Sequence, residues 1–284
     1  MTRKLGTIGV YTFLLITGYY LIPKENIKPL QYIKNKFKSM YPLYLVSITI
    51  IYILSFSGYL GKIKSVSIIS FIANVFMIND FFYIPYVDGA HWYITYLIIY
   101  IGIISLMIFT KKQYSCSSYL ILLAINLFLN KFVSLPKLHL LTGGYYLPVV
   151  VIGILMRNYM DTKFTKIESI CTFIICCISI SLMIGFSYCI IAIMVSIIIW
   201  NATNNKFIKL NNCKIFISIG NISYIIYLIH QNIGYMIMNY LNLKFEIEPF
   251  SLAIIVSLII IVLSYIIKYI ENKLKFSMQS FREN

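Results

Sequence analysis

Ten apolar stretches divide the chain, at about residues 5–22, 40–58, 66–80, 92–109, 117–133, 145–156, 167–184, 186–200, 222–241 and 251–270. Each is continuous rather than alternating, and the gaps between them carry Lys, Asn, Gly and Pro. Unbroken apolar runs approaching about 20 residues mark transmembrane helices, whereas a membrane β-barrel shows segments of about ten residues with alternating polarity. The pattern predicts an all-α fold, a polytopic transmembrane helical bundle in one domain over residues 1–284. The shorter runs need a second criterion, and positive charge supplies it. With 23–39 placed in the cytoplasm and 66–80 re-entrant or interfacial, the inside segments 23–39, 110–116, 157–166, 201–218 and the tail from 268 hold 17 Lys and Arg. The outside segments then hold 7, the bias that cytoplasmic loops show. Carrying 66–80 across the membrane inverts that bias for most of the chain. Nine crossings and a cytoplasmic C-terminus are therefore expected. The first helix then runs inward from outside and leaves Arg3 and Lys4 outside, which a further helix ahead of it would relieve.

Composition narrows the class. The chain is 60% hydrophobic and 12% charged with a mean hydropathy of +0.84, against about 25% charged residues in soluble domains. A water-covered surface and intrinsic disorder are both excluded. The formal charge of +15 would suggest nucleic acid in a soluble protein. Here it labels topology and attracts anionic membrane lipid, so no nucleic-acid partner is expected. The six cysteines form no C-x-x-C pair and are read as reduced packing residues. Three scattered histidines, His91, His139 and His230, make no metal-ligand spacing, so no metal is expected.

Polar chemistry concentrates in three places. Lys34 to Pro42 is a basic stretch entering the second apolar run. It reads as a snorkelling collar, or, through Lys36 and Lys38, as a cradle for the phosphates of an acyl-CoA donor. Pro42 suits a helix first turn. Tyr83 to Trp92 feeds the fourth run. Its aromatics fit a membrane belt, and Asp88 beside His91 is also the pairing in which a carboxylate orients an imidazole base. Ser218 to Gln231 offers Asn221 or Ser223 as helix caps and sets Tyr227, His230 and Gln231 at i, i+3 and i+4 on one face. That face serves either interhelical hydrogen bonding or a site.

Those same residues carry a resemblance. Gly220-Asn221-Ile222-Ser223-Tyr224-Ile225-Ile226-Tyr227-Leu228-Ile229-His230 resembles the G-x-x-SY-x-x-YL-x-H signature of the acyltransferase 3 family, membrane O-acyltransferases of bacterial surface glycans. Phe13 to Leu21 is similar to its FF-x-x-SG-[FY]-L helix, Lys36 to Pro42 stands at R-x-x-R-x-x-P, and Asp88 to Trp92 matches DGAxW. The resemblance implies an enzyme of the inner membrane with ten helices. It would move an acyl group, commonly acetyl, from acyl-CoA to a hydroxyl of a cell-surface polysaccharide or its lipid-linked precursor. It implies Lys36 and Lys38 at the donor phosphates, with Trp92 lining the cavity and Tyr224 and His230 stabilising the core near it. Ser39 replaces the second Arg of the motif, so Lys38 supplies that charge by a shift. The family's first helix, with its Arg and catalytic His, has no counterpart here. The expectation is a chain one helix short and impaired in activity, with His91 the local candidate base. The competing classes are a glycan flippase or transporter, which would show a polar lumen and paired half-helices, and a glycan polymerase.

Overall fold

The computed structural model describes residues 2–23, 27–57, 66–133, 138–204 and 213–283, with side chains from 6 to 273. Lys24, Lys62, Lys64, Lys137, Lys206 and Lys209 of the charge pattern lie outside the described residues. Among the described residues every regular element is helical: α1 (Thr2–Leu21), α2 (Pro29–Leu54), α3 (Ile68–Val75), α4 (Trp92–Phe109), α5 (Cys116–Phe132) and α6 (Leu147–Met160), then α7 (Lys166–Met183), α8 (Phe186–Thr203), α9 (Lys214–Ile229), α10 (Asn232–Phe245) and α11 (Pro249–Glu283). By length and composition, Pro29–Leu54, Gly89–Phe109, Leu138–Met160, Lys166–Met183, Phe186–Thr203 and Pro249–Lys273 can each cross a membrane. Gly6–Leu21, Cys116–Phe132 and Lys214–Ile229 are shorter apolar helices. The architecture is that of a polytopic helical membrane protein. The stretch expected at the interface holds only α3, whose 8 residues rise about 12 Å, too little to span.

Two boundaries differ from the apolar pattern. The second run was expected to begin near residue 40 with Pro42 in its first turn, but α2 begins at Pro29 and Pro42 lies inside it. The basic stretch is helical because Tyr32 N already bonds Lys28 O at 2.9 Å and Gln31 bonds Asn35 along the same face. Pro42, lacking an N–H, leaves the Lys38 carbonyl without its helical partner. The run 222–241 was expected as one helix capped by Asn221 or Ser223. Instead α9 starts at Lys214, placing both residues in its interior, where Ser223 Oγ donates to Gly220 O at 2.8 Å. The run then breaks at His230–Gln231 before α10.

The chain divides into two compact units, 1–38 with 96–208, and 39–95 with 209–284. In the first, α1 packs on α6 and α8, and α7 packs on α5, α6 and α8. The α1–α6 approach is close because both helices present glycine. A Cβ on Gly18 would stand 2.0 Å from Val150 O, and one on Gly153 2.1 Å from Leu15 O. This is the small-residue contact by which membrane helices gain van der Waals packing without help from water. In the second unit, α9 and α10 both pack on α11, and α9 meets the 3-10 turn Gly89–His91. Tyr44, Ile48, Ile51, Ile225, Leu228 and Val256 fill its core.

Candidate functional site at a broken helix

The second unit gathers buried polar groups around the break between α9 and α10. Asn74, on α3 and fully buried, holds the approaching loop. Its Nδ2 donates to Ser70 O at 2.7 Å and Pro85 O at 3.0 Å, and its Oδ1 accepts from Val87 N at 3.3 Å. Within that loop Tyr86 donates to Thr95 Oγ1 at 3.3 Å, and burial pushes its phenol up to about 12. Asp88 then caps the turn Gly89–His91. Its Oδ1 accepts from Ala90 N at 2.8 Å and its Oδ2 from Asn232 N at 3.1 Å. Asn232 answers with its side chain, Nδ2 donating to Val87 O at 2.8 Å.

In an unbroken helix Asn232 N–H would donate to Leu228 O, four residues back. Here Asn232 N–H goes to Asp88, and Leu228 O accepts from His91 Nε2 at 3.0 Å. The two halves of one missing helical bond are each satisfied from a single four-residue stretch, Asp88 to His91. Unpaired helix-end groups at this depth would be costly. The aspartate expected to orient the imidazole therefore orients the helix break, and both its oxygens are occupied by backbone amides.

His91 is 1% exposed. A carbonyl oxygen can only accept, so Nε2 carries the proton in the neutral ring and Nδ1 keeps its lone pair. Nδ1 is buried with no hydrogen-bond partner among the described residues. Tyr44 meets the ring edge-on at 5.3 Å between centroids.

The other expected residues of this unit gather around Tyr227, whose hydroxyl donates to Ala90 O. The Tyr224 ring stacks on it at 6.5 Å while its hydroxyl donates to Met40 O at 3.0 Å. His230, exposed at the end of α9, has Nδ1 2.9 Å from Tyr227 O and its ring 6.2 Å from the Tyr227 ring. Trp92 opens α4, half-buried, 6.2 Å from Tyr93, which meets Tyr227 edge-on at 5.5 Å. Tyr227 was visible as one polar position in a motif. Asn74 and Asn232 were not singled out; each shares its apolar run with a second Asn, Asn79 and Asn239, so the pattern carries no signal to pick them.

Lys36 and Lys38 belong to the first unit. Lys36 Nζ donates to Tyr20 O at 3.0 Å and lies 5.6 Å from the Tyr32 ring centre. Tyr32 donates to Leu21 O at 2.9 Å and Tyr114 to Pro23 O at 3.1 Å. Three side chains thus satisfy carbonyls at the end of α1, where a cation also complements the helix dipole. Lys38 is exposed.

Residues 2–269 match the family model described as an acyltransferase domain, a span that includes both units. No curated protein and no solved structure matches the chain. The match extends through the two stretches that supply the halves of the broken helical bond, Asp88–Trp92 and Gly220–His230. The protein therefore belongs to the acyltransferase 3 family of membrane acyltransferases.

Proposed function

We propose that the protein is an O-acyltransferase of the bacterial inner membrane, with its C-terminus in the cytoplasm. It moves an acyl group, as acetyl, from acyl-CoA to a hydroxyl of a cell-surface polysaccharide or its lipid-linked precursor. The family match over residues 2–269 is the observation that carries this reading. A hydroxyl is a poor nucleophile until a base takes its proton. In this reading His91 Nδ1 accepts that proton, the oxygen attacks the thioester carbonyl, the C–S bond breaks, and the CoA thiolate leaves with the proton returned to it. The unpartnered Nδ1 lone pair supports the assignment. Lys36 has three donors, of which one meets Tyr20 O. With Lys38 it offers point charges to the donor's diphosphate, and Trp92, Tyr224 and His230 shape the cavity in which the acceptor reacts.

Glycan ester analysis with and without the gene tests the activity. Loss of alkali-labile acetyl groups on deletion is expected. Unchanged acetylation with accumulated precursor would instead assign a flippase or polymerase. Lys36→Gln keeps a donor for Tyr20 O and removes the charge. The expected result is a several-fold higher KM for acyl-CoA with unchanged kcat and folding. An unchanged KM would move the diphosphate away from Lys36.

A further inference from the structure

In the first unit, α6, α7 and α8 line an open cavity of about 440 Å³. Each helix lines it at the spacing of one face: Ile152, Leu155 and Tyr159 from α6, Lys166, Ile170 and Phe173 from α7, and Ile197 and Trp200 from α8. Seven residues of helix give a slot about 10 Å long. Its inner length is mostly hydrocarbon, with the Ser196 hydroxyl bonded back to Ala192 O at 2.6 Å, and its end changes character, with Tyr159, Trp200 and Lys166 together. The Tyr159 and Trp200 rings stand 5.6 Å apart. The same two rings line a second cavity of about 670 Å³, whose other walls include Thr162, Lys163, Thr165 and Asn204.

The slot thus passes from apolar walls through an aromatic pair to a polar, basic mouth. The charged residues along the end of α6 and the start of α7 are unequally engaged. Arg157 is paired with Asp161 at 2.7 Å. Glu168 is held by the amide and hydroxyl of Thr165, both at 2.8 Å, closing the capping box of α7. Both carboxylates are therefore satisfied within the protein. Lys163 and Lys166 are exposed, Lys163 with its ammonium 5.3 Å from the Tyr114 ring centre, and neither has a carboxylate partner among the described residues. Ile170 and Ile197 on the rim are 48% and 56% exposed, so the slot opens to surrounding hydrocarbon rather than being closed by protein.

We infer that this slot is a specific site for an anionic glycerophospholipid, one acyl chain lying between α7 and α8 against α6 and the phosphate seated at Lys163 and Lys166. The order of walls matches that of the ligand: chain, interfacial glycerol at the aromatic pair, and negative headgroup at two cations. Tyr and Trp settle at headgroup level, and basic pockets between membrane helices attract anionic headgroups. A neutral chain would fill the slot and leave the two lysines without a counter-charge. The assignment does not depend on the acyl-transfer chemistry, because binding is read without donor or acceptor.

Trp200 is one of only two tryptophans in the chain, so it can report on its own site. The full chain carrying Trp92→Phe is reconstituted in phosphatidylcholine vesicles, and its fluorescence is titrated with phosphatidylglycerol or phosphatidylcholine brominated on the acyl chains. The expected result is that brominated phosphatidylglycerol quenches at about thirtyfold lower mole fraction, the scale two lysines give. That preference shrinks in high salt as screening shortens the reach of the charges. Lys163→Gln with Lys166→Gln should reduce it to near unity while leaving quenching by phosphatidylcholine unchanged, which also shows that the slot has not collapsed. Equal quenching by both lipids in the parent would overturn the site's specificity. A preference that survives both substitutions would remove the lysines from it. Displacement of brominated phosphatidylglycerol by a stoichiometric isoprenoid phosphate, where the same amount of unbrominated phosphatidylglycerol displaces little, would assign the slot to a lipid-linked sugar carrier instead.

Discussion

Asp88→Asn tests the splinted helix break directly. Asp88 is fully buried and accepts from two amides, Ala90 N–H at 2.8 Å and Asn232 N–H at 3.1 Å. Asparagine has the same shape but only one accepting oxygen. Whichever way its amide is turned, an NH₂ group faces one of the two N–H donors. Loss of a charge-assisted bond costs about 1.5–3 kcal/mol, and a buried amide left unpaired about 1–3 kcal/mol. The two overlap because they concern the same donor, so the net loss should be about 3 kcal/mol. Equilibrium unfolding in mixed detergent–SDS micelles measures this total. Hydrogen exchange locates it, since protection should fall across residues 228–234, where α9 gives way to α10, and stay unchanged in α6 and α7. Asn232→Ala serves as the scale, because it removes one neutral bond to Val87 O and should cost about 1 kcal/mol. If Asp88→Asn unfolds within about 0.5 kcal/mol of the parent and the Asn232 amide keeps its protection, Asp88 does not hold the break.

Other outcomes follow from the same geometry. His91→Gln can still donate to Leu228 O but has no basic nitrogen, so under the proposed chemistry activity should fall at least about 100-fold with folding retained. Full activity in steady-state assays of that variant would exclude His91 as the base. Gly18→Ala puts a methyl 2.0 Å from Val150 O, and should destabilise by about 3 kcal/mol or prevent folding. Gly6→Ala meets nothing within 4 Å and should be neutral or stabilising by up to about 1 kcal/mol, as thermal unfolding will show. The amides of Phe250 and Ser251 hold the exposed Glu248 carboxyl below its usual value at the start of α11. Its contribution is therefore present above the unfolded value of about 4.3 and lost as pH falls through the lower folded one. Exchange of residues 250–252 should rise in acid relative to Glu248→Gln measured at the same pH.

The membrane class, the helical fold and most helix positions were legible because they depend on local burial in hydrocarbon. Runs at 167–184 and 186–200 became Lys166–Met183 and Phe186–Thr203, and 66–80 yielded a helix too short to cross. The family resemblance was legible too, as the family match bears out. What the pattern could not show is what those residues do. A continuous apolar run from 222 to 241 gives no local reason to break. The break is held by Asp88 and His91, whose partners lie 144 and 137 positions away, beyond the reach of any periodicity. Lys36 is similar: its sequence neighbours describe a basic collar, and only packing against α1 sets its ammonium on the Tyr20 carbonyl, 16 residues back. Pro42 entered the helix interior because α2 had already started at Pro29. Local hydrophobicity decides which segments enter the membrane. Which backbone groups find partners there is decided by side chains from other helices, because the hydrocarbon around them offers none.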